Sequence, residues 1–170
     1  DTPEASASSA PASTAWAGVG QQYKLSAVQI PEDTEQVLLV DGSVFPVTAH
    51  LDDAQHMQYE IMQDAQSVYS ATGVVMDYAS AENGIWIAEW YADPDATTLR
   101  LIAPDGTILN TIDVASSSSS EWQVYTVDYL DGLLYLLRRY AGSSPTMDLL
   151  KPDGSDCGQI SLPAAYGYAV

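Results

Sequence analysis

Three Asx-Gly steps divide this chain at regular intervals: Asp41-Gly42, Asn83-Gly84 and Asp131-Gly132, which lie 42 and 48 residues apart. Each step joins two runs of strand-forming residues. Asn-Gly and Asp-Gly are preferred two-residue turns of β-hairpins, because both central residues must adopt φ > 0. Hairpins that recur every roughly 40–50 residues are typical of stacked four-stranded units. We therefore predict an all-β fold.

The turn residues define three units, at 36–71, 74–115 and 121–163, within a domain of residues 23–170. The last two units align, since GIWIAEWYA at 84–92 corresponds to GLLYLLRRYA at 132–141. Pro-Asp-Gly turns recur in both units. Alternating apolar residues and turn residues at every junction favour strands. We predict about three four-stranded antiparallel blades, with a β-sandwich or an open stack of sheets as the alternative.

These units resemble the blades of irregular β-propellers. They lack the Gly-His and Trp-Asp dipeptides of WD40 repeats, and APDGT at 103–107 retains only the middle of a sialidase-type Asp-box. Because propellers usually have at least four blades, three units imply a partial or truncated propeller. The ring would be completed by missing blades, which is the interpretation that we favour, or by self-association.

The charge of the chain restricts its partners. There are 23 acidic residues against 5 basic ones, which gives a net charge of −18. A surface of this sign repels phosphate backbones, so we predict no nucleic-acid partner. The single cysteine, Cys157, excludes an internal disulfide. No apolar run reaches the length of a membrane-spanning helix.

The first 22 residues are rich in Ser, Ala and Pro, and we expect them to form a disordered tether. This segment resembles the one that follows the lipidated cysteine of Gram-positive surface lipoproteins, some of which are coupled to solute-binding proteins of uptake transporters. The resemblance implies an extracellular protein tethered to the cell surface. Its contact with the membrane would be made only through an N-terminal lipid anchor. An ordinary interdomain linker is the alternative.

Aromatic residues suggest a ligand surface, because the chain has four Trp and eleven Tyr but only one Phe. Such amphipathic rings suit contacts with a carbohydrate or a peptide. In the strand at 84–92, alternation places Trp86 and Trp90 on one face and Tyr91 on the other. We expect the two tryptophans to pack between blades, with ligand contact as the alternative. The candidate ligand-binding residues are Trp86, Trp90, Tyr91, Tyr135, Arg138 and Arg139.

Metal and catalytic motifs are weak in this sequence. His50, Asp52 and His56 are residue types that bind zinc, but no helical His-x-x-x-His spacing accompanies them. We expect them to be solvated loop residues and predict no cofactor. The chain has no Gly-x-Ser-x-Gly or Ser-x-x-Lys motif, and we predict no catalytic residue.

The sequence thus favours a non-catalytic, extracellular binding or interaction module of a surface-tethered bacterial protein, linked to solute or carbohydrate uptake. Two alternatives remain open. The chain would be a fragment of a propeller-type glycosidase or lyase, or a structural spacer that mediates contacts between proteins.

Overall fold

A computed structural model describes residues 17–18, 21–22, 28, 30–92, 95–114, 123–139 and 144–163. These residues form only strands, turns and irregular segments, and no helix among them is long and apolar enough to cross a membrane. Strands β1 (Ala17–Gly18) and β2 (Gln21–Gln22) pair antiparallel near the start of the chain. The rest of the predicted tether, residues 1–16 and 19–20, lies outside the described residues.

The other strands form three four-stranded antiparallel sheets, which confirms the predicted all-β class. In each sheet the strands are hydrogen-bonded in chain order. Sheet 1 comprises β3 (Thr34–Val40), β4 (Ser43–Leu51), β5 (Met57–Gln63) and β6 (Gln66–Ser70). Sheet 2 comprises β7 (Val74–Ala81), β8 (Gly84–Ala92), β9 (Asp95–Ile102) and β10 (Ile108–Val114). Sheet 3 comprises β11 (Gln123–Leu130), β12 (Leu133–Arg139), β13 (Thr146–Leu150) and β14 (Asp156–Ser161).

The three sheets share one register, so they are structural repeats of each other. Their first hairpins close with the pairs Val40↔Ser43, Ala81↔Gly84 and Leu130↔Leu133. The first strand of each sheet then contains a β-bulge at the same distance from this turn, at Thr34/Gln36, Val75/Asp77 and Val124/Thr126. A bulge increases the local twist of a strand, and its recurrence gives the three sheets the same shape.

Two of the predicted Asx-Gly turns are present. Asp41 and Gly42 have φ values of 46° and 75°, and Asp131 and Gly132 have φ values of 52° and 77°. Both pairs therefore adopt the left-handed conformation that a two-residue hairpin turn of this type requires.

The third predicted turn, Asn83-Gly84, is wrong by one residue. The turn is Glu82-Asn83, and Gly84 is the first residue of β8. A Cβ atom on Gly84 would lie 2.3 Å from the carbonyl oxygen of Ile102. Glycine is required here because the backbone of β9 approaches closely, and not because of the turn.

Adjacent sheets pack face to face. We call the face of each sheet that carries Phe45, Trp86 or Tyr135 its forward face, and the opposite one its back face. The forward face of sheet 1 and the back face of sheet 2 form one apolar cluster, which contains Phe45 and Ile87. The forward face of sheet 2 and the back face of sheet 3 form a second, which contains Trp86 and Leu136. Sheet 2 is therefore covered on both sides.

The Pro-Asp-Gly turns connect neighbouring sheets. A Cβ atom on Gly106 would lie 1.9 Å from the carbonyl oxygen of Val68 on β6. The corresponding turn of sheet 3 lies against β10, where Asn110 Nδ2 donates a hydrogen bond to the carbonyl oxygen of Pro152. The turn between the third and fourth strands of sheets 2 and 3 is thereby held against the fourth strand of the preceding sheet.

The first strands of the sheets lie side by side, since β7 contacts both β3 and β11. The backbone N–H of Val127 donates a hydrogen bond to Asp77 Oδ2 at 3.0 Å, which joins β11 to β7. Strands β6, β10 and β14 lie at the other edge of each sheet. The described sheets thus form three blades of a partial β-propeller, the predicted fold class.

We expect Gly106→Ala to destabilise the protein more than Gly132→Ala. Both glycines have positive φ, so each substitution costs about 1 kcal/mol of conformational strain. Only at Gly106 would the new methyl group collide with another sheet, which should cost about 1–3 kcal/mol more. Nothing lies within 4 Å of a Cβ atom on Gly132, which makes it the matched control. Urea denaturation measures both changes, and equal losses would contradict the close contact with Val68.

We expect Asp77→Asn to stabilise the protein at neutral pH. Burial raises the pKa of Asp77, although hydrogen bonds from Tyr78 and Val127 oppose the shift. A raised carboxyl pKa contributes stability below the unfolded pKa, and this contribution is lost as the pH rises through the folded pKa. Asparagine removes the buried charge and still accepts the Val127 hydrogen bond. The gain should shrink when thermal unfolding is measured below about pH 4.

The control for this substitution is Asp77→Ala, which leaves the N–H of Val127 without its acceptor. Asp77→Ala should lower the free energy of unfolding by about 1–3 kcal/mol at neutral pH. If the asparagine and alanine variants were equally destabilised, Asp77 would not act as an uncharged hydrogen-bond acceptor between the sheets.

Candidate functional site

One position of the second strand is polar in every sheet and lies on the back face. It is opposite the residue that precedes the bulge of the first strand, and it is occupied by Thr48, Glu89 and Arg138 in sheets 1, 2 and 3. In sheets 2 and 3 the back face packs against the preceding sheet, so the side chain points into an interface. A charge at such a place requires a partner.

Glu89 lies at the interface between sheets 1 and 2, and its side chain is 0% exposed. Arg100 Nη1 donates to Glu89 Oε2 at 2.6 Å, and Tyr69 of sheet 1 donates to Glu89 Oε1 at 2.5 Å. The hydroxyl of Tyr91 and the backbone N–H of Gly73 also donate to Oε2. The carboxylate is fully used within the protein.

These contacts keep Glu89 ionised. Burial by itself raises the pKa of a carboxyl group, but hydrogen bonds from Tyr69 and Tyr91 and the charge of Arg100 outweigh it. The net pKa of Glu89 is lowered. The pKa of Tyr69 is raised, first by burial and then by its hydrogen bond to this carboxylate, so its phenol stays protonated as a donor.

Sheet 3 has an ion pair at the same place with the charges reversed. Arg138 takes the position of Glu89, and Asp148 takes the position of Arg100. Arg100 lies opposite Ile87 on the neighbouring strand, and Asp148 lies opposite Leu136, which is the residue of sheet 3 equivalent to Ile87. Arg138 Nη1 donates to Asp148 Oδ2 at 2.8 Å. The second carboxylate oxygen of Asp148 accepts a hydrogen bond from Gln159 Nε2 at 2.6 Å.

A groove of about 370 Å³ opens beside this second ion pair. It lies between β10 of sheet 2 and the back face of sheet 3. Its apolar lining residues are Ile112, Val114 and Leu150, and its polar side chains are those of Arg138, Asp148, Asp156 and Gln159, while Asp113, Gly154 and Gly158 complete the lining. Small-molecule sites usually have volumes of roughly 300–1,000 Å³ and combine an apolar lining with a few polar groups. This groove has both properties.

The described residues around the two ion pairs differ in their aromatic side chains. Around Glu89, the hydroxyls of Tyr69 and Tyr91 reach the buried carboxylate from two different sheets. Arg100 lies over the ring of Tyr91, with 5.7 Å between Cζ and the ring centroid. Among the described residues that line the groove beside Arg138, no side chain is aromatic.

The structure separates the predicted ligand-binding residues. Arg138 lines the groove. Trp86 is fully buried in the core between sheets 2 and 3, where it cannot contact a ligand. Trp90 is half-buried and donates from Nε1 to Asp95 Oδ1 at 2.7 Å, while Tyr91 belongs to the Glu89 network. The two tryptophans thus make contacts within the protein.

Tyr135 lies on the forward face of sheet 3, opposite Asp128, and is half-buried. It does not line the groove. The backbone of Arg139 pairs with Gln123 at the end of β12, but its side chain lies outside the described residues.

Of the three weak zinc candidates, Asp52 and His56 form hydrogen bonds within their loop, whereas His50 lies on a strand and not in the predicted loop. Asp52 Oδ1 accepts hydrogen bonds from the backbone N–H groups of Ala54 and His56, both at 2.8 Å, which folds the connection between β4 and β5. His56 Nδ1 lies 3.8 Å from Asp52 Oδ2, and His50 is exposed on β4. Within the described ranges no group of three or more His, Cys, Asp or Glu side chains converges on one point.

The sequence analysis missed Asp148, Asp156 and Gln159. Asp148 had a detectable signal, because it occupies the place of Arg100 once the two strands are aligned by their pairing. Asp156 and Gln159 had none, since β14 borders a groove only where sheet 3 faces β10.

The chain is similar to a solved structure, the crystal structure of Myxococcus xanthus glutaminyl cyclase, with a TM-score of 0.45 and 16% sequence identity. The similarity covers 76% of this chain and 51% of that one, so this chain spans about half the length of its structural neighbour. A likeness this distant assigns no activity to the chain. No family model and no curated protein matches the sequence.

We expect Glu89→Gln to lower the free energy of unfolding by about 3–5 kcal/mol, because Arg100 would lose its charged partner at a buried position. The lowered pKa of Glu89 means that its stabilising contribution is present above the ordinary glutamate pKa of 4.5 and is lost as the pH falls through the folded pKa. The difference between wild type and variant should therefore shrink below about pH 4.5. Urea denaturation at several pH values measures it.

The control is the double variant E89M/R100M, which removes both charges. It should be more stable than Glu89→Gln, because no charge is left buried alone. If the double variant were the less stable of the two at neutral pH, the ion pair would contribute more than the cost of burying its charges.

Proposed function

We propose that this protein is a non-catalytic binding module that holds a small neutral carbohydrate in the groove between sheets 2 and 3. The observation that carries the proposal is the groove itself, in which a fixed ion pair lies beside an aliphatic wall. In our proposal the module is extracellular and attached to a bacterial cell surface, where it serves solute uptake. The Ser/Ala/Pro-rich start of the chain and its acidic composition support this location.

The polar groups of the groove suit hydroxyl groups. Asp148 accepts hydrogen bonds from Arg138 and from Gln159, so the Asp148 carboxylate and the Gln159 amide are oriented before a ligand arrives. Asp156 accepts from the N–H of Gly158 at 2.7 Å with one of its oxygens. Each carboxylate therefore keeps acceptor capacity for the hydroxyls of a sugar ring.

Charge excludes another class of ligand. The carboxylates of Asp148 and Asp156 and the guanidinium of Arg138 line the groove, in a protein whose net charge is −18. Phosphorylated or otherwise anionic ligands are repelled by such a site. The aliphatic wall of Ile112, Val114 and Leu150 offers a surface for the C–H face of a neutral sugar.

The contacts of Asp148 favour binding over catalysis. Both of its oxygens already accept hydrogen bonds, from Arg138 and from Gln159. A carboxylate that is held in this way contributes to the shape of a site and is not an available proton donor. The ion pair therefore orients a bound ligand, and its carboxylate does not act as a general acid.

We expect the protein to bind at least one sugar of a panel of neutral mono- and disaccharides (glucose, galactose, xylose, maltose and cellobiose) when binding is measured by titration calorimetry. Gln159→Ala should weaken the binding of any sugar that binds the wild type about tenfold, which corresponds to the loss of one hydrogen bond. Gln66→Ala is the matched control, because Gln66 is exposed on β6 of sheet 1 and away from the groove. Binding that is equally strong in the Gln159 variant would place the sugar elsewhere, and no binding in the panel would refute the proposal.

A further inference from the structure

The charges that line the groove between sheets 2 and 3 do not balance. Arg138 Nη1 donates to Asp148 Oδ2 at 2.8 Å, and both side chains are largely buried, so these two charges neutralise each other. Asp156 is the second carboxylate of the lining. Among the described residues, no lysine or arginine forms an ion pair with Asp156. The groove therefore carries one negative charge that the described part of the protein does not compensate.

One oxygen of Asp156 is available to a ligand. Asp156 Oδ1 accepts a hydrogen bond from the backbone N–H of Gly158 at 2.7 Å, which orients the carboxylate. Within the described part of the chain, Oδ2 accepts no hydrogen bond. Because Asp156 is exposed and lines the groove, a molecule bound in the groove can reach this oxygen.

Asp156 lies beside the part of the groove that suits a sugar ring. In sheet 3, Asp156 pairs with Leu150 and Gln159 pairs with Asp148. Leu150 and Asp148 are two residues apart on β13, so they share one face of the sheet at a spacing of about 7 Å. Substituents on opposite sides of a pyranose ring are separated by a comparable distance. A sugar that rests on the aliphatic lining and contacts Gln159 with one substituent therefore brings another substituent toward Asp156.

The free oxygen of Asp156 is best matched by a protonated amine. An ammonium group needs only one charged acceptor, because water or neutral acceptors can take its other two hydrogens. A guanidinium group pairs best with both oxygens of a carboxylate, but Gly158 already uses one of them. Calcium requires about six to eight oxygen ligands. Among the described residues, no group of three or more acidic, His or Cys side chains could hold a metal ion.

We propose that the groove binds an amino sugar more tightly than the neutral sugar with the same ring, because the protonated amine pairs with Asp156. This inference rests on the proposed function, since the ring itself is held by the contacts that hold a neutral sugar. The amine replaces a hydroxyl group and forms a charge-assisted hydrogen bond in its place. The net charge of −18 attracts any cation as well, so the test separates the contribution of Asp156 from that of the whole protein.

Titration calorimetry at about pH 6, where the amine is protonated, compares glucosamine with glucose and galactosamine with galactose. At 0.02 M sodium chloride, at least one amino sugar should bind about two- to fivefold more tightly than its neutral counterpart, which is the range expected of an exposed ion pair. Salt screens the charged contact, so this preference should shrink at 0.5 M sodium chloride.

Asp156→Asn should abolish the preference, so that the amino sugar and its neutral counterpart bind equally well. Asparagine still accepts the hydrogen bond from Gly158, and circular dichroism should therefore show unchanged folding. Asp64→Asn is the matched control, because it removes the same charge from an exposed residue between β5 and β6 of sheet 1. Asparagine tolerates the positive φ of 48° at this position. The Asp64 variant should keep the preference.

Neutral sugars that bind while neither amino sugar binds more tightly than its counterpart would refute the preference and leave the proposed function standing. A preference that Asp156→Asn retains would place the amine on another acidic group and would overturn the pairing with Asp156. If neutral and amino sugars all failed to bind, this inference and the proposed function would be refuted together.

Discussion

Burial of sheet faces against neighbouring sheets is the interaction on which the rest of this structure depends. A four-stranded antiparallel sheet with apolar residues on both faces is stable only when both faces are covered. Sheet 2 meets this condition, and both faces of β8 are buried along most of its length. Sheets 1 and 3 each pack only one face against sheet 2, and some positions that are buried in sheet 2 are exposed on their other faces, as at Leu130.

The two reversed ion pairs show that equivalent positions of the repeat can carry opposite charges when both partners are exchanged. Glu89 with Arg100 and Arg138 with Asp148 occupy the same two positions on adjacent strands, and the attraction between the partners does not depend on which strand carries the positive charge. The neighbouring side chains decide the role of each pair. Tyrosines contact the first pair, which makes it an anchor between sheets, whereas the second pair borders the groove that we propose as a binding site.

Local patterns predicted the hairpins and the all-β class but not the register of the repeat. Aligning Gly84 with Gly132 is natural because both follow an Asx residue. In the structure Gly132 is a turn residue with φ of 77°, while Gly84 is a strand residue that avoids a collision with Ile102. Glycine meets either requirement, so the sequence does not distinguish them. The shift by one residue concealed the equivalence of Glu89 and Arg138. Trp86 followed the expected alternation into the core.

The sequence by itself determined the all-β class, the three four-stranded sheets and the faces of the strand that contains Trp86, because turn residues and two-residue alternation act over a few neighbouring positions. Only the tertiary structure decided the groove. Its walls come from β10 and from β12 to β14, and their distance depends on the volume of side chains that belong to different sheets. Tertiary packing likewise decided which aliphatic residues remain exposed, since Val40, Ala81 and Leu130 differ in what lies opposite them and not in their local pattern.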